Sequence, residues 1–132
     1  MSQSITSSRG QEIQKHVAGP ALISLDGAGI REILFVADGS WAVDKIKIVY
    51  QTAASISGLS YGVNVLFGNL SDAAKFGAWS SLTSATDGQI VNLTLNRHNL
   101  ALSNDEAFYV RTFGPLANAG VIAVFIYFSR MR

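Results

Sequence analysis

Acid–base and nucleophilic chemistry both need a base held beside a nucleophile and a third group that orients it. The chain offers two imidazoles, His16 and His98. His16 stands in a polar N-terminal stretch, and His98 lies between Arg97 and Asn99. Neither has a partner at a spacing that marks a catalytic set, so both are expected to be surface or loop residues. Asp105 and Glu106 are adjacent carboxylates, and with Asn104 they could offer oxygens to a calcium ion. They lack the regular spacing of a calcium loop, and a polar turn that opens a strand is the expected role. The chain has no cysteine, which excludes thiolate chemistry and disulfides, and no His cluster has zinc spacing. Gly27-Ala28-Gly29 lacks the third glycine and the following helix of a dinucleotide loop. No enzymatic activity, no cofactor and no metal are therefore expected.

Aromatic side chains are the remaining chemistry. Trp41 and Trp79 could stack against sugar rings. Trp79 is the better placed, in Phe76-Gly77-Ala78-Trp79 within a long irregular segment. Rings of this kind more often close a core or an interface. Asn69-Leu70-Ser71 and Asn92-Leu93-Thr94 match the glycosylation sequon, but no secretory signal is visible at the N-terminus.

The elements that must position these residues are strands. Ala107–Phe113 mixes aromatic and β-branched residues. Val121–Phe128 is apolar at its odd positions (Val121, Ala123, Phe125, Tyr127) and equally so at its even ones (Ile122, Val124, Ile126, Phe128). Successive side chains of a strand point to opposite faces. One face can fill the chain's own core, while the other needs a cover, and a second subunit is the expected one. The odd residues are thus the candidate oligomer interface. These two runs, joined through Gly114-Pro115, are expected to form a closing hairpin.

Further strands are expected at Ala21–Leu25 and Gly29–Val36, as a hairpin about Asp26-Gly27. Trp41–Thr52 follows, with Ile46, Ile48 and Tyr50 on one face and Lys45, Lys47 and Gln51 on the other. Its alternation slips near Val43 and Asp44, which predicts a bulge. Tyr61–Phe67 and Gln89–Asn96 complete the set, and Ser71-Asp72 could cap a short helical turn over Ala73–Phe76. About eight short strands without an amphipathic helix predict an all-β, single-domain antiparallel β-sandwich. A jelly roll fits best, and an immunoglobulin-like sandwich is second.

A chain of 132 residues with charged residues at only 14% has few groups to solubilise a wide free surface, so partners are expected to cover part of it. The net charge of +1 argues against nucleic acid and membrane surfaces as partners. Residues 1–19 form a polar arm that cannot bury enough apolar area to fold alone, leaving 20–132 for the sandwich. Gln11–Val17 fits either a helical turn or an edge strand. Ile5, Ile13 and Val17 can enter apolar grooves and Arg9 and Lys15 can meet acidic groups, so the arm is expected to act as a docking strap.

From Ile30 to Phe128 the order of features resembles the small jelly-roll proteins that decorate the heads of tailed bacteriophages, and is similar to modules of phage fibres. The resemblance is carried by Ile33-Leu34-Phe35-Val36-Ala37-Asp38-Gly39-Ser40-Trp41 and the Lys45–Tyr50 strand. It continues in Ala53-Ala54-Ser55-Ile56-Ser57-Gly58, Tyr61-Gly62-Val63-Asn64-Val65 and the final pair of strands. These are patterns of strand and turn, not catalytic signatures. The resemblance implies a non-enzymatic virion protein on the capsid surface, a homotrimer or other symmetric oligomer seated on the major capsid protein as a decoration or cement subunit. The alternative is a carbohydrate- or receptor-binding module that uses Trp41 and Trp79. A small β-sandwich enzyme ranks third.

Overall fold

The longest strand sets the architecture. In β3 (Trp41–Ser55), Ile46, Ile48 and Tyr50 are fully buried while Lys45 stays exposed and Lys47 half-buried. A strand with one apolar face must lie on a core. The computed structural model describes residues 14–25, 31–55, 64–80, 86–96, 100–113 and 119–131. The other strands are β1 (Lys15–Ser24), β2 (Arg31–Val36), β4 (Asn64–Gly68), β5 (Gly77–Ser80), β6 (Ile90–Asn92), β7 (Ala101–Leu102), β8 (Ala107–Phe113) and β9 (Ala119–Arg130).

Two antiparallel sheets result. The first runs β1-β9-β3-β6, with β7 beside the start of β3, and the second runs β2-β8-β4-β5. Early strands pair with late ones, β1 with β9, β2 with β8, and β3 with β6 and β7. This is a jelly roll, as the strand count and turn spacing predict. The layers enclose Ile23, Ile46, Ile48, Tyr50, Ile122, Val124, Ile126 and Phe128 from one side and Val65, Phe67, Phe108 and Val110 from the other. Phe108 stacks on Phe76 at 5.0 Å and meets Phe128 edge-on at 5.6 Å, so aromatic contacts tie the layers together.

Several local expectations change. The expected closing hairpin is absent: β8 belongs to the second sheet and β9 to the first. A strand with a fully buried inner face is best satisfied with a partner on each edge, and β9 has β1 and β3. For the same reason β1 and β2 form no hairpin about residues 26–27, which lie outside the described residues. The boundary at Gly19 also moves. Lys15–Ala18 pair with Ser129–Ile126, so β1 already runs through the last part of the expected arm. Gly19 has φ of +115° at the register shift between Ala18 and Ala21, where a Cβ would collide with the Val124 carbonyl oxygen.

The bulge in β3 falls between Val43 and Lys45, where the alternation slips. No helical turn forms over Ala73–Phe76. Instead the Asn69 side-chain oxygen accepts the Ser71 and Asp72 N–H groups at 3.1 and 2.6 Å, and Asp72 accepts that of Ala74 at 3.2 Å. Such local bonds compete with helix formation. The chain then enters β5, which pairs with β4 and was not foreseen. β6 is shorter than Gln89–Asn96. After Leu93 N–H bonds to the Ile46 carbonyl, the chain crosses so that Asn96 N–H reaches that of Phe76.

Candidate assembly surface

The outer face of the first sheet is built by the register of four strands. Leu22 pairs with Ala123, Ala123 with Val49, and Val49 with Ile90. These four form an apolar row across the sheet, with Leu22 58% and Ile90 56% exposed at its ends. Phe125 and Tyr127 lie further along β9 on the same face, and Val17 pairs with Tyr127 while remaining 48% exposed. Four strands thus contribute exposed or half-buried apolar side chains to one surface, which is the chemistry of a contact face more than of a wetted one.

The odd residues of β9 lie on this face. Ala123 is buried, and Val121, Phe125 and Tyr127 are half-buried. Part of their cover comes from the subunit itself. Lys47 Nζ sits 5.2 Å from the Phe125 ring centre, and Lys45 Nζ sits 5.4 Å from that of Tyr127. The lysine stems lie along apolar surface while the charges stay in water. The sequence pattern already put Lys45 and Lys47 on the outer face of β3. It did not show that β3 would neighbour β9, so their role as covers was missed. Leu22 and Ile90 were also missed, because they belong to this surface only through the register.

Of the arm residues, Lys15 and Val17 lie in β1, whereas Ile5, Arg9 and Ile13 fall outside the described residues. Lys15 meets the Asp44 carboxylate at 3.5 Å and donates to Ser129 Oγ at 3.0 Å, and Ser129 Oγ also bonds to Asp44. These residues border a shallow depression of about 400 Å³ shared with His16, Val17, Lys45, Tyr127 and Phe128.

His16 is exposed, as expected of a surface residue, but it lies in strand β1 and not in a loose arm. Its ring stacks 5.1 Å from Phe35 and lies 6.2 Å from Phe128, closing the flank of the sandwich where the edge strands β1 and β2 approach. His98 lies outside the described residues. Trp41 is 5% exposed, donates its indole N–H to the Asp38 carbonyl at 2.9 Å, and carries the Arg130 guanidinium over its ring at 4.6 Å. That corrects the sugar-stacking expectation for Trp41, because packing and Arg130 leave it no open ring face. Trp79 is half-buried, packed against the core, and tilts on Tyr50 at 5.8 Å.

Glu106 does structural work. It accepts from Lys75 Nζ at 2.7 Å, Asn69 Nδ2 at 2.8 Å and Ser103 N–H at 2.8 Å. Burial pushes its carboxyl up, but these bonds outweigh it and hold the group below its ordinary value. Asn104 accepts the Gly39 N–H at 2.8 Å. Among the described residues no group of three or more His, Cys, Asp or Glu side chains is placed to hold a metal ion.

Gly58-Leu59-Ser60-Tyr61-Gly62 has the spacing of a nucleophile elbow. An elbow needs a strand before it and a helix after it. Here the next described element is strand β4, and residues 56–63 lie outside the described residues.

No protein-family model matches the chain, and no curated protein does. Solved structures do match. A chain of the cyanophage Pam1 capsid asymmetric unit is similar over 98% of this chain and 94% of its own length, with a TM-score of 0.65 at 9% identity. A chain of the acidic stable capsid structure of Helicobacter pylori bacteriophage KHP30 is similar over 88% and 93%, with a TM-score of 0.53 at 9% identity. At such identities the likeness is one of fold, and it supports the jelly-roll topology from end to end.

Proposed function

We propose that the chain is a non-enzymatic structural protein of a virion, a decoration or cement subunit that binds the capsid surface and stabilises it. The observation that carries this reading is the end-to-end fold match to a chain of similar length in a capsid asymmetric unit. A small sandwich that corresponds to a whole chain there suits an accessory subunit built from one jelly roll. The apolar row Leu22–Ala123–Val49–Ile90 is the self-association face, and its occupant is a second copy of the chain. Closed cyclic symmetry, with a trimer as the arrangement the phage resemblance implies, removes such a surface from water. The major capsid protein is the second partner, with residues 1–13 as the strap that reaches it. Several arms on one oligomer raise avidity without new contacts.

Co-sedimentation tests the reading. Purified protein mixed with phage heads lacking it should pellet with them, and imaging of the heads should show a sandwich at symmetric lattice positions. Protein that stays in the supernatant at all salt concentrations defeats the proposal.

A further inference from the structure

The outer face of the second sheet holds a different arrangement. Arg31 on β2 pairs directly with Arg111 on β8. Like charges opposite each other across strands are unfavourable, yet both guanidiniums converge on one ring. Arg31 lies 5.6 Å and Arg111 5.2 Å from the centre of Tyr109. Arg111 also donates to the Asn69 carbonyl at 2.9 Å, and its Nε is buried without a hydrogen-bond partner. Among the described residues the ion pairs are Lys15–Asp44 and Lys75–Glu106, so neither arginine has a described carboxylate partner. Ile33, the register partner of Tyr109, is 50% exposed beside them.

We propose that the Arg31–Tyr109–Arg111 platform binds a carboxylate side chain, flanked by an apolar residue, on a partner protein. Two like charges held against one ring without a counter-ion create an electrostatic demand that an incoming anion relieves. The planar forks of arginine match a carboxylate with paired hydrogen bonds. Tyrosine and arginine are also the residues on which protein interfaces most often depend. A nucleic-acid backbone fits less well: it needs a basic stripe, and this pair is bordered by Ile33, Val36 and Glu32. The surface chemistry stands without the capsid reading. Only the identity of the partner, an acidic segment of the major capsid protein, rests on it.

The test is a titration of the full chain followed by backbone amide NMR. The probes are a blocked hexapeptide of alternating Glu and Leu, its Gln/Leu counterpart, and a single-stranded oligodeoxynucleotide. The Glu peptide should shift the amides of Arg31, Tyr109 and Arg111, bind more weakly as salt rises, and outcompete both other probes. Arg31→Glu, at an exposed position whose side chain is described only against the Tyr109 ring, should weaken the Glu peptide about tenfold with a melting temperature no lower than the parent's, since it replaces a like-charge cross-strand pair by an opposite-charge one. Equal binding of the Gln peptide, tighter binding of the oligonucleotide, or parental affinity in Arg31→Glu overturns the proposal. Head co-sedimentation reports separately on the capsid reading. A protein that binds the Glu peptide but not heads retains this site and loses that reading.

Discussion

The Lys75 ammonium lies 2.7 Å from the Glu106 carboxylate, with the two side chains only 12% and 16% exposed. The pair bolts the segment after β4 to the turn before β8. Because the Glu106 carboxyl is held below its ordinary value, its contribution to stability is fully present above the unfolded-state value of about 4.3. It is lost as pH falls through the lower folded-state value. Glu106→Gln should cost about 2 kcal/mol at neutral pH, since Lys75 loses its counter-charge out of water. Thermal melts from neutral to acid pH should show a shallower decline in the variant than in the parent between the unfolded-state value and the lower folded-state one.

Gly19 has no room for a side chain. Its φ of +115° and the approach of the Val124 carbonyl oxygen both exclude a Cβ. Gly19→Ala should lose at least about 2 kcal/mol in urea unfolding. Gly88 also has a positive φ, but it faces open space, and Gly88→Ala should cost clearly less.

Leu22→Glu and Ile90→Glu place charges at the two ends of the apolar row while leaving the core intact. Under the proposed self-association each should shift sedimentation at micromolar concentration toward monomer, with a melting temperature no lower than that of an isolated parental subunit. An unchanged oligomer would move the interface elsewhere.

Truncations separate the arm from the sheet. Removing residues 1–13 leaves β1 whole, so folding should persist while binding to heads is lost. Removing residues 1–19 deletes half of β1, exposes the edge of β9 and uncovers Phe35 and Phe128 where His16 stacks. Circular dichroism should show that the second truncation, and not the first, loses cooperative unfolding.

The layered class of the fold was legible because period-two alternation survives in β3 and β4, where Ile46, Ile48, Tyr50, Val65 and Phe67 are all fully buried. Even the slip at Asp44 showed as a bulge. Pairing was less legible, because adjacency in sequence favours hairpins, whereas β8 and β9 separate between layers to give β9 two partners. β5 was hidden in a stretch whose Asn, Asp and Ala residues suggested a capped turn. The surface suffered most. Val121, Ala123, Phe125 and Tyr127 could be assigned to one face of a strand, but Leu22, Val49 and Ile90 join them only through three register alignments that no local pattern encodes. Arg31 and Arg111 are 80 positions apart in the numbering, and only the pairing of β2 with β8 sets them side by side.

The place of β9 between β1 and β3 has a consequence for biosynthesis. During translation β1 and β3 emerge from the ribosome long before β9, and neither can be bridged until it arrives. The nascent chain must carry two open strand edges and an uncovered apolar layer until its closing element is made. Such long-range closure is slow, and the waiting state invites aggregation. Closure of this sheet is therefore expected to wait for β9, and ribosome stalling shortly before β9 should leave a chain that depends on chaperones.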